Sequence, residues 1–465
     1  MSSFLVKAAC VVGAVVVGSA VSQPNAMAQS PAATQCQQTY QLACLGADQL
    51  EHAYGLSALY AKGITGAGTT IAIVDPYGSP TIASDLSVFD AEFGLPAPPS
   101  LTVIQPQGQL PAYDASTMSA WASEATLDVE YAHAMAPGAR ILLAETPDTS
   151  SEVAEGYILS HYHVDVISQS FSMTEQTLPK ATLDAMHAVY QRAQARHVTV
   201  VASSGDTGAA NTGLDDVTYF SSPATQYPAS DPLVTTVGGT ELRLDGDGDR
   251  EAADTVWNDT YDGGVNETDY RDAGPNPMAS GGGKSVLFAR PSYQDSVRGA
   301  VGDSRGVPDV SMSAACSAPV VTYQSFGGQA AGWYPACGTS EAAPLFAGVV
   351  ALADQEAGHS LGLINPALYQ LAAGHAAGIV PVTSGNNTVT FTQDGREQTI
   401  QGYSATSGYS LAAGVGTVDA QYFVPELAHA ATQLATPAAP HPASPATPVI
   451  PPATLALTSH SHRPM

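Results

Sequence analysis

The chain has 465 residues, of which 42 are acidic and 15 are basic, so its formal net charge is -27 at pH 7. This surplus of acid excludes nucleic acid and anionic membrane surfaces as partners, because both require a basic footprint. Scarce Lys beside abundant carboxylates also suits a protein that works at low pH, where protonation relieves the repulsion between its charges.

The first 28 residues have the pattern of a secretory signal peptide. Lys7 precedes an apolar run over residues 8–21, and the small residues Ala26 and Ala28 mark a cleavage site after Ala28. The run is too short for a membrane anchor, and no other stretch is long and apolar enough to span a bilayer. We therefore expect a secreted, extracellular protein with no membrane partner.

The cysteines agree with an oxidising compartment. Cys10 lies in the signal segment, which leaves an even number of cysteines in the mature chain. Three pairings of these are possible, and the simplest joins Cys36 to Cys44 and Cys316 to Cys337. The alternative, buried free thiols, is less common in a secreted chain.

The rest of the chain divides by composition into three parts. Residues 29–48 form a short, polar, Gln-rich lead-in, residues 49–432 form a single α/β domain, and residues 433–465 are rich in Ala, Pro and Thr. The last part has no core pattern and is predicted to be a disordered tail.

Short apolar strands alternate with helices in the central part. The predicted strands cover residues 69–75, 139–144, 164–168, 198–203 and 232–237, and the predicted helices cover residues 123–135, 183–195 and 345–357. This alternation predicts a parallel sheet flanked by helices on both faces. Functional side chains are then expected at the carboxyl ends of the strands.

Residues 338–350 read GTSEAAPLFAGVV, a tight loop of small residues followed by an apolar helix. Pro344 falls in the first turn of the predicted helix, where Pro is tolerated. Ser340 stands at the helix start, where it could be a plain N-cap. It could equally be a nucleophile, provided that other residues activate it.

Glu124 and Asp128 are a candidate activating pair. They stand four residues apart on a predicted helix, so they share one face. Two carboxyl groups forced together tend to share a proton, so one can accept a proton from Ser340 while the other holds it in place. The alternative is two acids on a solvated helix face.

Asp206 follows the predicted strand 198–203 among Gly turns. It could simply cap a turn. If protonated, it could instead donate a hydrogen bond to a developing oxyanion. That role requires low pH or a raised pKa.

These residues stand among other segments in a characteristic order and spacing. The further matching segments are residues 53–56, 66–75, 227–232, 237–240, 279–283, 307–311 and 365–369. Together they resemble the sedolisin family of serine-carboxyl peptidases, over a stretch from about Leu50 to Ala431. Asp75 stands where subtilisins have their catalytic Asp, but no His-Gly dipeptide supplies the His partner. A His-based triad is therefore not expected.

The resemblance implies a subtilisin-like fold in one large catalytic domain and a monomeric, acid-acting endopeptidase or tripeptidyl-peptidase with polypeptide substrates. By position, Ser340 would be the nucleophile that forms the acyl-enzyme, and Glu124 its general base. Asp128 would orient Glu124, and Asp206 would stabilise the oxyanion. A carboxylate base with an ordinary pKa of about 4–5 suits acidic conditions.

The sequence departs from the family pattern at four places, one of which is Phe171-Ser172, where an aromatic residue followed by Gly is expected. Only residues 29–48 separate the predicted cleavage site from the catalytic motifs, so a long prosegment is expected to be absent. Pro381 and Ser410 stand where the family has carboxylates for a calcium ion, which prefers anionic oxygen ligands. We therefore predict that the calcium site is lost and that the protein has no cofactor. Glu341 replaces a small residue beside Ser340, which would move activity to still lower pH.

Two alternative functions remain open at this stage. One is a catalytically silent, sedolisin-like secreted binding protein, which the missing prosegment and calcium ligands would suit. The other is a neutral subtilase that activates Ser340 through a His side chain.

Overall fold

The computed structural model describes residues 29–148, 150–215, 217–245, 248–261 and 275–435. The predicted signal peptide, including Cys10, lies outside the described residues, as does the predicted tail from residue 436 onward. The division of the chain at residues 28, 48 and 432 stays a prediction.

Within the described residues, helices and strands alternate along most of the chain. The helices are α1 (Pro31–Tyr40), α2 (Ala47–Ala53), α3 (Ser57–Tyr60), α4 (Ile82–Phe93), α5 (Ala115–Met135), α6 (Ser151–His161), α7 (Lys180–Ala195), α8 (Arg298–Val301), α9 (Thr339–Ala357), α10 (Asn365–Ala373) and α11 (Ala420–Ala435). The strands are β1 (Thr70–Pro76), β2 (Leu101–Ile104), β3 (Arg140–Thr146), β4 (Val166–Gln169), β5 (Met173–Thr174), β6 (Thr199–Ser203), β7 (Gln226–Tyr227), β8 (Thr235–Glu241), β9 (Thr255–Val256), β10 (Gly283–Ala289), β11 (Ser304–Val307), β12 (Val310–Ser313), β13 (Val320–Gln324), β14 (Gly332–Ala336), β15 (Ile379–Val380), β16 (Val389–Gln393), β17 (Arg396–Ile400) and β18 (Thr417–Val418).

The central sheet is parallel, as the alternation of strands and helices predicts. Its strands run in the order β12-β8-β6-β4-β1-β3-β2, and β9 pairs antiparallel with the end of β8. Because every strand of this path points the same way, their carboxyl ends share one edge of the sheet. The predicted α/β, subtilisin-like sheet is thereby confirmed.

Two hydrophobic cores lie on the two faces of the sheet. Ile71 and Ile73 of β1 join the core that contains the buried faces of α5 and α9. Ala72 and Val74 join the core on the other face, beneath α6 and α7. This division follows from the alternation of side chains along a strand. Helices therefore cover both faces, and α9 crosses behind the middle of the sheet.

The Gln-rich lead-in is structured. Ser30 caps α1 through the Ala33 N–H, and Cys36 forms a disulfide with Cys44 that packs against Val321 of β13. A second disulfide joins Cys316 to Cys337. The simplest of the three possible pairings is therefore confirmed.

Several helices begin or end beyond their predicted limits. α5 begins at Ala115, eight residues before the predicted start, because Asp114 caps it through the Ser116 N–H. α9 begins at Thr339 and not at residue 345, so Ser340 lies inside the helix and Pro344 lies beyond its first turn. α11 extends to Ala435, which is three residues into the predicted tail.

A search of the described residues for a helix long and apolar enough to cross a membrane finds none.

Candidate active site

The Ser340 turn is shaped by a glycine and a proline. Gly338 has a φ of 103°, a conformation that favours glycine, and a Cβ there would lie 2.6 Å from Asp206 Oδ2. Pro344 has no N–H, so it cannot donate the helical hydrogen bond to the Ser340 carbonyl four residues earlier. That carbonyl instead lies 3.4 Å from the Ser170 hydroxyl, just beyond β4.

α5 packs against α9 and brings its two acidic residues to Ser340. The Ser340 side chain lies close enough to the Glu124 carboxyl to lower its pKa. One helical turn away, Asp128 Oδ1 lies 2.8 Å from Ser170 Oγ. Ser170 thus stands between the Asp128 carboxyl and the Ser340 main chain. The sequence spacing placed Glu124 and Asp128 on one helical face, and that face is turned towards Ser340.

Asp206 reaches the same place from the loop after β6. Its Oδ1 accepts hydrogen bonds from the Thr339 N–H and from the Thr339 hydroxyl, both at 2.7 Å. Burial raises the pKa of Asp206, and the Thr339 hydrogen bonds oppose the rise. This direction favours the neutral carboxyl that an oxyanion donor must be.

Exposure divides the site into two layers. The side chains of Ser340, Glu124 and Asp206 are partly exposed, so a substrate can reach them. Asp128 and Thr339 are buried behind them. The structure therefore brings all the predicted site residues together, with the groups that would touch a substrate in front.

Asp75 also belongs to this cluster, although the sequence pointed only to its resemblance to the subtilisin Asp. It is fully buried near the end of β1, and neither of its carboxyl oxygens has a hydrogen-bond partner within the described residues. Its charge acts on both Glu124 and Asp128. Burial, followed by the neighbouring Glu145 carboxyl, raises the pKa of Asp75 to about 7.

The cluster holds its protons tightly. Burial, then the Asp75 carboxyl, raises the pKa of Glu124 to about 8, and the hydrogen bond from Ser340 opposes the rise. Burial, then Asp75 and Glu124, raises the pKa of Asp128 well above its usual range. An ordinary pKa of about 4–5 was expected for the base, and the pKa is raised because the carboxyl is buried and other carboxyls lie beside it. The pKa values at which such coupled groups lose successive protons belong to the whole set and not to single residues.

Glu341 points into the protein interior. Its side chain is fully buried, and its charge acts on Tyr54 and Tyr131 of the core. Burial raises its pKa well above the usual range, and the Ser313 hydroxyl opposes the rise. Glu341 is therefore a neutral interior side chain under acidic conditions, and its expected influence on the pH of activity stays a prediction.

Sequence reasoning missed Ser170 and Thr339 as members of the site. Both are small hydroxyl residues whose partners are more than forty residues away along the chain. No local spacing could reveal these contacts. The one available signal was the position of Ser170 immediately after a buried strand, at the sheet edge where functional groups gather.

The residues that replace the family's calcium ligands do not fit a calcium ion. Ser410 and Gly414 exchange backbone hydrogen bonds at 2.9 Å, and Ser410 Oγ accepts the Ala413 N–H at 3.1 Å. Pro381 supplies no side-chain oxygen. No group of three or more His, Cys, Asp or Glu side chains in the described ranges is placed to hold a metal ion. Independence from calcium stays a prediction.

Comparison with known proteins identifies the family. The model of the subtilase family matches residues 115–404. Kumamolisin from Bacillus sp. (strain MN-32) is 31% identical over 347 residues, which is 71% of this chain and 56% of kumamolisin. Xanthomonalisin from Xanthomonas sp. (strain T-22) is 28% identical over 400 residues, which is 79% of this chain and 45% of xanthomonalisin. The chain thus spans about half the length of these curated relatives.

A solved structure agrees with these relatives. Pseudomonas sedolisin, a serine-carboxyl proteinase in complex with two molecules of pseudo-iodotyrostatin, superposes with a TM-score of 0.67 and 26% identity. The match covers 82% of this chain and 97% of the sedolisin chain. This chain therefore belongs to the subtilase family and, within it, to the sedolisin family of serine-carboxyl peptidases with a subtilisin-like fold.

Proposed function

We propose that this protein is a secreted, acid-acting serine-carboxyl peptidase that hydrolyses polypeptides as an endopeptidase or a tripeptidyl-peptidase. One observation carries the proposal. The Ser340 side chain lies beside the Glu124 carboxyl and lowers its pKa, in a cluster that also contains Asp128 and Asp206. A serine hydroxyl next to a positioned carboxyl is the arrangement of a nucleophile and its general base.

The proposed reaction begins with attack by Ser340 Oγ on the substrate carbonyl carbon. The new O–C bond forms as the hydroxyl proton moves to Glu124 and the carbonyl π pair moves onto oxygen. Neutral Asp206 and the Ser340 N–H then donate hydrogen bonds to this oxyanion. Glu124 returns its proton to the leaving amine, and water hydrolyses the acyl-enzyme by the same steps.

Asp128 holds Glu124 in this proposal. Asp128 is buried, its pKa is raised, and its carboxyl contacts Ser170. A neutral Asp128 can share its proton with the neighbouring carboxyls while Glu124 carries the negative charge. The raised pKa values keep most of these carboxyls neutral in acid, so the proposed base is the form of the cluster that has lost one proton.

The carboxyl that serves as the proposed oxyanion donor restricts activity to acid. Asp206 must keep its proton to donate a hydrogen bond, and the raised direction of its pKa extends the pH range in which it does so. A His base would be protonated under these conditions. The contact of Ser340 with Glu124 accordingly supports the carboxyl mechanism over the neutral, His-dependent alternative.

The decisive experiment is cleavage of an unfolded protein between pH 2 and 7, with the cleavage sites mapped by mass spectrometry. We expect the wild type to cleave in the acidic part of this range, where Asp206 is neutral, and Ser340→Ala to be inactive although folded. Cleavage three residues from amino termini would assign a tripeptidyl-peptidase, and internal cleavage an endopeptidase. A folded wild type as inert as Ser340→Ala throughout this range would leave the silent binding protein as the better interpretation.

Secretion is supported by the two disulfides, which persist in oxidising compartments. The proposed protein acts as a monomer on polypeptides and requires no calcium ion or other cofactor.

A further inference from the structure

Thr339 joins the loop that carries the nucleophile to the loop that carries the oxyanion carboxyl. Its hydroxyl accepts the Gly205 N–H at 3.0 Å and lies 2.7 Å from Asp206 Oδ1. Its own N–H donates to the same Oδ1 at 2.7 Å. One buried residue therefore occupies a single oxygen of the Asp206 carboxyl with two hydrogen bonds.

The direction of these hydrogen bonds follows from the chemistry of the donors. Backbone N–H groups can only donate, so the Gly205 N–H takes a lone pair of the Thr339 hydroxyl and leaves its proton for Asp206. The Thr339 N–H likewise needs an acceptor at Oδ1. With both lone pairs of Oδ1 engaged, the acid proton of a neutral Asp206 belongs on Oδ2.

The surroundings of Oδ2 differ from those of Oδ1. Gly338 lies beside Oδ2, and a Cβ at this glycine would come within 2.6 Å of it. The glycine thus leaves room for Oδ2, and both Asp206 and Ser340 are partly exposed. Oδ2 is the oxygen from which a proton can point to a group bound at Ser340.

We propose that Thr339 is a positioning residue that directs the acid proton of Asp206 to Oδ2, where it can donate a hydrogen bond to the oxyanion. This inference rests on the proposed function. In the step concerned, the Ser340 Oγ–carbonyl carbon bond forms, the carbonyl π pair moves onto oxygen and the Ser340 proton moves to Glu124. Asp206 donates a hydrogen bond and keeps its proton.

The test compares Thr339→Val, which removes the hydroxyl but keeps the shape and the backbone N–H, with Thr339→Ser, which keeps the hydroxyl. In Thr339→Val the carboxyl has one donor fewer at Oδ1, so its proton is no longer directed to Oδ2. We expect kcat to fall by about tenfold, less than the 10²–10³-fold typical of deleting an oxyanion donor. KM stays unchanged, because Thr339 is buried behind the groups that face the substrate. Thr339→Ser restores most of the loss.

The pH profile adds a readout that a merely structural role would not move. Asp206 is faced by Glu124 from α5 and by Thr339 from α9, and Asp75 acts on the site through Glu124. The Thr339 hydroxyl lowers the pKa of Asp206, so its removal moves one limb of the kcat profile to higher pH. The limb keeps its wild-type position in Thr339→Ser.

A peptide aldehyde supplies an independent measurement. Ser340 adds across its carbonyl to give a hemiacetal whose oxygen occupies the oxyanion position, whereas the matching peptide alcohol forms no such bond. We expect Thr339→Val to weaken inhibition by the aldehyde about as much as it lowers kcat and to leave inhibition by the alcohol unchanged. Equal effects on both inhibitors would overturn the inference.

The outcomes separate this inference from the proposed function. If Ser340→Ala still cleaves substrate, the proposed function fails. If Ser340→Ala is inactive while Thr339→Val retains the wild-type kcat and both limbs of the pH profile, only the role of Thr339 fails. Should Thr339→Val not fold, Thr339→Ala replaces it in the same comparison with Thr339→Ser and the same expected results.

Discussion

Asp309 and Asp75 are fully buried carboxyl residues at opposite ends of the strands of one parallel sheet. Asp309 lies just before the amino end of β12, and Asp75 lies near the carboxyl end of β1. Asp309 receives two hydrogen bonds from the buried Arg305 at 2.6 and 2.5 Å, and further ones from Tyr369 and Thr236 at 2.8 Å. Neither oxygen of Asp75 has a partner within the described residues. The same side chain is therefore fully hydrogen-bonded beside a cation in one place and without a partner in the other.

The difference shows how one fold can hold two kinds of buried carboxyl, one that is paired with a cation and one that stays protonated. A buried carboxylate is tolerated when a cation and several donors compensate for the lost hydration. Without them the group remains neutral, and its pKa rises. The cluster around Ser340 contains carboxyls of the second kind, so protons, rather than a fixed charge, are available where the proposed reaction occurs.

The largest expected effect comes from removing the proposed base. Glu124→Gln cannot accept the Ser340 proton, so we expect kcat to fall by about 10²–10⁴-fold, the usual contribution of general acid–base catalysis. The measurement is kcat and KM on a peptide substrate at acidic pH. Glu130 is the control, because it is also a glutamate on α5, but it is fully buried and accepts a hydrogen bond from the Tyr323 N–H. Near-normal activity of Glu124→Gln, or a similar loss in Glu130→Gln, would contradict the assignment.

The next effect concerns stability near Asp309, at the amino end of β12. Arg305→Met leaves the Asp309 carboxylate buried without its cation, so we expect the free energy of unfolding to fall by about 3–5 kcal/mol. Urea unfolding at neutral pH measures the loss. Arg298→Met is the control, since its pair with Asp303 is exposed and is worth less than about 1 kcal/mol. Similar losses in both variants would mean that Asp309 does not depend on a buried cation.

A smaller effect should appear as a pH dependence of stability. The pKa values of Asp75 and Glu124 are raised to about 7 and about 8, above the values near 4 that unfolded chains have. Between these limits the native state binds more protons than the unfolded state. The free energy of unfolding must therefore fall as pH rises from about 4 to 8, by up to about 1.4 kcal/mol per pH unit for each such group.

Asp75→Asn tests this directly, because the amide does not titrate. We expect its free energy of unfolding to decline less steeply between pH 5 and 7 than that of the wild type, as measured by urea unfolding at each pH. Asp184→Asn, at an exposed residue paired with Lys180, should leave the decline unchanged. If the free energy of unfolding of the wild type is constant or rises between pH 5 and 7, the buried carboxyls do not keep their protons in the native state.

These features were not equally accessible to sequence reasoning. The order of apolar strands and helices predicted the parallel sheet, and the four-residue spacing of Glu124 and Asp128 predicted their shared face, because both depend on local periodicity. The roles of Asp75 and Thr339 depend on contacts between distant segments. The sequence could predict that Asp75 is an acid at a strand end. It could not predict that Asp75 lacks a hydrogen-bond partner, because the groups around it depend on how α5 packs.

The start of α9 shows a second limit. The loop-like run of small residues before Leu345 predicted a helix over residues 345–357, whereas the helix begins at Thr339 because Gly338 adopts a left-handed conformation that lets the chain turn there. A proline beyond the first turn normally costs a helical hydrogen bond. Here the released Ser340 carbonyl lies near the Ser170 hydroxyl. The avoidance of proline beyond the first turn is thus broken beside the proposed nucleophile, and functional sites are where such local rules are most often broken.

The smallest expected effect concerns the position of the family's calcium site. Here Pro381 and Ser410 stand in place of the carboxylates that would bind the ion. Ser410 closes its turn by accepting the Ala413 N–H, and a neutral turn has no affinity to lose when calcium is withdrawn. We expect the melting temperature to be the same with a chelator as with added calcium, measured by differential scanning fluorimetry. Ser410→Asp restores one anionic oxygen without a cation and is expected to lower the melting temperature. A fall in the wild-type melting temperature on chelation would mean that ligands other than those at Pro381 and Ser410 hold an ion.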